Sequence, residues 1–135
     1  MLEPVSALVR RSLSLIADRQ PRAYASIATA LDGLTLSMTL GPDDRIHLTT
    51  VGHALHECDG DHADIRLFAT RDSLSRLVDG DRTLVESIRC GAIDAYGTTG
   101  ALRRAHDALA LFVGALLRIE AATDLRRGLG AQDHV

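Results

Sequence analysis

The sequence contains no lysine, no asparagine and no tryptophan, and only two cysteines. Without lysine there is no Schiff-base chemistry on a carbonyl substrate. All fifteen basic residues are arginine, and they stand singly or in the pairs Arg10–Arg11, Arg103–Arg104 and Arg126–Arg127, with no stacking aromatics beside them. With a formal charge of −3 the chain has no basic footprint for nucleic acid. Cys58 and Cys90 make no CxxC and no paired framework, so free thiols and a cytoplasmic setting are expected. The opening residues carry an acid at position 3 and arginines inside the apolar stretch, unlike a secretory signal. The longest apolar run, Ala108 to Leu117, is about half of the ~20 residues that span a bilayer, so no membrane span is expected.

Aromatic residues make up only 3% of the chain against 46% hydrophobic residues overall. The core must then be built from Leu, Ile, Val and Ala, with few rings to fill it. At 135 residues the expectation is one domain over residues 1–125 followed by a flexible tail over 126–135.

Hydrophobic periodicity supplies the elements. Residues 3–19 carry Val5, Leu8, Val9, Ser12, Leu15 and Ile16 along one side at helical spacing, and residues 22–33 form a second short helix ended by Gly33. The period then changes to two. Leu34, Leu36, Met38 and Leu40 alternate with Thr35, Ser37 and Thr39, turn at "GPDD", and resume with Ile46 and Leu48, which makes a hairpin with one apolar face. Gly52 reads as a bulge in the second strand, and "ADIRLFAT" as the third strand of an antiparallel meander. Two short helices follow, over 70–80 and 81–91, the second with Asp81 as its cap. A strand over Ala92–Tyr96 and a long helix from about Gly100, capped by Thr98 or Thr99, complete an α+β order in which the residues themselves show four strands. The second half of the last helix is apolar around most of its circumference, so core, ligand or another subunit must cover it.

This order of elements, and particularly the stretch from Ala63 to Leu109, resembles the sterol carrier protein type 2 family of lipid-transfer domains, and the resemblance covers nearly the whole chain. The resemblance rests on Asp64–Ile65 in a strand, Leu74 and Leu77 in the helix after it, and Gly80–Asp81 at the step. It continues in Gly91–Ala92–Ile93 opening a strand and Gly97–Thr98 closing it. It implies a mixed sheet of four to five strands with helices packed mainly on one face and a hydrophobic tunnel between the layers. It also implies non-catalytic binding or carriage of a lipid or other hydrophobic small molecule, with no cofactor. A tunnel of this kind selects by apolar burial, and Leu36, Met38, Leu48, Leu67, Ile93, Leu109, Phe112, Val113 and Leu116 are the ligand-binding candidates. Unlike a peroxisomal carrier, the chain ends "QDHV" rather than in a Ser-Lys-Leu-like signal, which points to a bacterial cytoplasmic protein.

The family does not require the stretch "GHALHECDGDH", which carries three histidines and a cysteine among acids. A three-residue loop at Asp59–Gly60–Asp61 would set Cys58 opposite His62 with His56 on the same face, so His56, Cys58 and His62 are the candidate metal ligands. The spacing lacks the CxxC or HxxxH pattern of zinc sites, and a polar hairpin end is the simpler reading. His53 or His56 is the candidate acid/base if the pocket belongs to a small tailoring enzyme. A third reading is a dimerisation or accessory module, pairing with itself through the last helix or with a partner enzyme.

Overall fold

The computed structural model describes residues 3–58 and 62–119. Two helices, α1 (Val5–Arg19) and α2 (Pro21–Ala30), precede strands β1 (Thr35–Gly41), β2 (Asp44–Val51), β3 (Ala54–Glu57) and β4 (Ile65–Phe68). Helices α3 (Arg71–Val78) and α4 (Leu84–Arg89), strand β5 (Asp94–Tyr96) and helix α5 (Thr99–Leu117) follow. The strands form one mixed sheet in the order β3-β2-β1-β4-β5, in which β1 and β4 run parallel and every other neighbouring pair is antiparallel.

Strand alternation explains the two faces of this sheet. Leu36 is level with Leu48 on β2 and Ile65 on β4, and Met38 with Ile46 and Leu67, so three adjacent strands present continuous apolar rows to one side. Thr35, Ser37 and Thr39 alternate with them and stand on the other side beside Thr49, His47 and Arg45. The helix layer packs on the apolar side, where Leu8, Ile16, Ile27, Leu31 and Leu116 join the sheet residues in one core. In α1 the buried positions Val5, Leu8, Ser12 and Ile16 recur every three or four residues. The buried Ser12 hydroxyl is satisfied by donating back to the Leu8 carbonyl at 2.8 Å.

Long-range polar contacts hold the layers in register. The Asp44 carboxylate, at the start of β2, accepts from the Val5 N–H at 2.7 Å and the Ser6 N–H at 3.2 Å, which satisfies the start of α1 from outside the helix. Arg104 of α5 donates to the Ala30 carbonyl at the end of α2 at 2.9 Å. Gln20, between α1 and α2, donates to the Ala115 carbonyl at 3.1 Å and accepts from Arg118 at 3.0 Å, which ties the helix corner to the end of α5. At the head of β4 the Asp64 carboxylate accepts from the Thr35 N–H at 2.9 Å.

Three local expectations change. Gly52 is not a bulge. β2 ends at Val51, and Gly52 and His53, with φ of 57° and 69°, make a two-residue turn that folds β3 back antiparallel on β2, Val51 facing Ala54. A turn with both central residues at positive φ closes a hairpin inside what reads as one strand. The Ile65–Phe68 segment is the fourth strand rather than the third of a meander, and it pairs parallel with β1 on the side away from β2. α5 is capped by Thr98 as expected, whereas α4 is capped by the Thr83 side chain, which accepts from the Glu86 N–H, and not by Asp81. The tail over 126–135 and the loop tip Asp59–Asp61 lie outside the described residues.

Two substitutions test this account. Asp44→Ala is expected to lower stability by about 1–2 kcal/mol, with a smaller loss for Asp44→Asn, measured by urea unfolding. A Cβ at Gly97 would stand 2.8 Å from the Asp64 carbonyl oxygen, so Gly97→Ala is expected to cost about 1–3 kcal/mol through displacement of the β4 head.

Candidate functional site

The buried face of α5 is built from four alanines and Leu116. Ala101, Ala105, Ala108 and Ala115 point inward where the facing sheet carries leucines. Small side chains let α5 lie close to α2, with which it packs extensively. They also leave the space above Leu36 and Leu48 only partly filled.

The result is a cleft of about 90 Å³ between the layers, and all fourteen of its wall residues are apolar. Leu36, Met38, Leu48, Leu55 and Leu67 make the floor, and Ala105, Ala108, Leu109 and Phe112 of α5 make one wall. Val9 and Leu13 of α1, Ile27 and Leu31 of α2 and Leu74 of α3 complete it. Val9, Leu13, Leu74, Leu109 and Phe112 are only half-buried, so the cleft reaches the surface along the helices. Sites for drug-sized ligands run to about 300 Å³ or more, so a ligand of that size must part α1 and α5 to enter.

A second groove of about 390 Å³ opens beside the edge strand β3 and shares Leu13, Leu48 and Leu55 with the cleft. Its rim is polar, with Arg10 and Ser14 of α1, Tyr24 of α2, and His56 and Glu57 of β3. Arg10 Nε donates to Glu57 Oε1 at 2.8 Å across this opening. The Tyr24 hydroxyl accepts from the Leu55 N–H at 2.9 Å, which satisfies an edge-strand donor that has no strand neighbour. A larger depression of about 760 Å³ lies along β4 and β5, among Asp64, Arg66, Phe68, Asp94 and Tyr96. It is shallow and edged by charges, and a ligand there would take little apolar surface out of water, so the all-apolar cleft is the better candidate.

Six of the nine residues named from sequence, Leu36, Met38, Leu48, Leu67, Leu109 and Phe112, stand in the wall of the cleft. Ile93 is buried ahead of β5, Leu116 is fully buried in the core, and Val113 is half-buried on α5, none of them in that wall. The wall residues from α1, α2, α3 and β3 are not among the nine. The apolar stripes of the two helices were visible in the sequence, but which space they close over was not.

The histidine-rich stretch does not converge. His53 sits in the exposed β2–β3 turn, away from the cleft. His56 is exposed at the groove rim. Cys58 follows β3, and its N–H donates to the His47 carbonyl at 3.0 Å. His62 lies ahead of β4, its Nε2 3.5 Å from Asp64 Oδ1. Because β2 and β1 separate β3 from β4, Cys58 and His62 are not opposed across a hairpin as expected. Among the described residues no three His, Cys, Asp or Glu side chains gather as metal ligands. Among the same residues no helix is long and apolar enough to cross a membrane.

No family model matches the sequence, and no curated protein matches it. Solved structures do. The structure of a UbiJ-SCP2 ubiquinone synthesis protein superposes with a TM-score of 0.60 at 22% identity, over 84% of this chain and 92% of that one. Sterol carrier protein 2 from Yarrowia lipolytica, in its apo form, gives 0.55 at 16% identity, over 82% of this chain and 88% of that one. Sterol carrier protein domain 2 of Helicoverpa armigera gives 0.50 at 12% identity, over 78% and 84%. The mixed five-stranded sheet, the helices packed over its apolar side and this likeness over most of both chains agree: this chain has a sterol carrier protein 2-like fold.

Proposed function

We propose that this domain binds and carries a lipid or another hydrophobic small molecule, without catalysing a reaction on it, in the cleft between the sheet and helices α1, α2 and α5. The observation that carries this reading is a wall of fourteen residues with no polar side chain among them. Such a wall offers a ligand apolar burial and little else. At roughly 0.8 kcal/mol for each methylene taken from water, a long chain gains several kcal/mol before the costs of association and of opening the layers are subtracted. The printed names of the similar structures, sterol carrier and ubiquinone synthesis, belong to those proteins, and they support a strongly apolar class of ligand here. The positions of His53 and His56, one in an exposed turn and one at a rim, place neither imidazole among the apolar walls, which supports carriage over chemistry.

Native mass spectrometry of the purified protein, followed by organic extraction, is expected to find an apolar occupant or uptake of added fatty acid. A protein that arrives empty and takes up neither fatty acid nor fluorescent lipid would remove this reading. Ala108→Leu, which extends a side chain into the cleft, is expected to weaken uptake of a fluorescent fatty acid about tenfold or more while circular dichroism is preserved; unchanged uptake would place the ligand elsewhere. His53→Gly is expected to raise stability by up to about 1 kcal/mol, because the positive φ strains any residue with a Cβ, His53→Ala to leave it little changed, and neither to alter uptake.

A further inference from the structure

We propose that the β4–β5 side of the sheet carries a second binding site, for a small solute with a quaternary ammonium group, formed by Phe68, Tyr96 and Asp94. It lies on the face of the sheet opposite the cleft and is independent of the carrier reading.

The argument begins with how few rings the chain has. Two phenylalanines and two tyrosines are all of its aromatic residues. Phe112 lines the cleft, and Tyr24 holds the edge strand β3 through the Leu55 N–H. The other two stand side by side in solvent, Phe68 at 42% and Tyr96 at 58% exposure, although the core is short of rings. Strand alternation puts them there. Ile65 and Leu67 face the core, so Phe68 faces away, and Tyr96 is its diagonal neighbour on β5. The ring centroids are 5.8 Å apart and the planes meet at 81°, so the two faces make an open corner. It looks onto the depression of about 760 Å³ along β4 and β5.

Charge decides what such a corner takes. The face of an aromatic ring is electronegative and attracts cations. Asp94 is level with Phe68 across the strand pair and shares a face with Tyr96, two residues on. Among the described residues the Asp94 carboxylate has no hydrogen-bond or ion-pair partner. Asp64, at the other end of the depression, is by contrast occupied by the Thr35 N–H. Arg66 is level with Tyr96 and diagonal to Asp94, and it is itself engaged. Two ring faces and one available carboxylate therefore stand together at the Phe68–Asp94 end.

Among cations, this set suits a quaternary ammonium. Such a group has no N–H to satisfy, so a single carboxylate is enough, and its methyl groups reach both rings at once. A primary ammonium is a compact, strongly hydrated charge that would lose more water than this corner replaces.

The test is an NMR titration of the whole chain with choline and with its neutral carbon analogue, which has a tert-butyl group in place of the trimethylammonium. Choline is expected to move the amides of Phe68, Asp94 and Tyr96 with a Kd on the order of 1 mM, and the carbon analogue to bind about tenfold more weakly. Phe68→Leu and Tyr96→Leu, which keep apolar bulk and remove a ring, are each expected to weaken choline about threefold or more, and Tyr96→Phe to retain it. Asp94→Asn is expected to weaken choline about threefold and leave the carbon analogue unchanged. Circular dichroism of each variant reports an intact fold. Equal binding of choline and the carbon analogue, or choline affinity unchanged in the leucine variants or in Asp94→Asn, would overturn the assignment. So would shifts confined to other amides, no saturable shift up to about 50 mM choline, or tighter binding of methylammonium than of choline. Sedimentation of the protein with phosphatidylcholine vesicles, without binding of free choline, would move the group to a membrane surface and overturn the free solute.

Discussion

The parallel pairing of β1 with β4 is the constraint on which the remaining structure depends. It sets Ile65 beside Leu36 and Leu67 beside Met38, and so extends the apolar face beyond the β1–β2 hairpin into a floor wide enough for three helices. A parallel neighbour is reached only by leaving the sheet and returning, and the chain first completes β2 and β3 on the other side of β1. The return is pinned where it re-enters. Asp64 and Thr35 exchange two hydrogen bonds, one from backbone to backbone and one to the Asp64 carboxylate, each at 2.9 Å. Gly97 leaves room for β5 to close against the same point.

The helix layer on that floor joins rigid and loose packing. At its ends it is clipped by Asp44 on α1, Arg104 on the end of α2, and Gln20 on the end of α5. In its middle, alanines face leucines, and the half-buried residues of α1, α3 and α5 border a space that is not closed. Clipped ends and an underfilled centre suit the proposed site for a flexible apolar molecule, since the register is held outside the region that a ligand would fill. The scarcity of aromatic residues belongs to the same design, since few rings are available to plug the centre.

Legibility followed the range of the interaction. The α1 stripe, the alternation in β1 and β2, the Thr98 cap of α5 and the small strand near Tyr96 rest on neighbours within a few residues, and the chain read in isolation places them well. The Gly52–His53 turn is equally local but depends on a positive φ at a histidine, which residue patterns seldom announce, so the residue pattern shows one strand where two exist. With β3 folded back on β2, and β4 on the far side of β1, the residues that looked opposed are separated by two strands.

The α+β order, the apolar and polar sides of each element and the absence of aromatic filling follow from the sequence by itself, because periodicity and composition are properties of short stretches of chain. Only the tertiary structure decided which strand is the parallel partner of β1, which helices close over the leucine floor, and that Arg10 meets Glu57 at its edge. Each of these brings together residues far apart in the chain, 47 positions in the case of Arg10 and Glu57, and is chosen by the packing of whole elements, which no local pattern encodes.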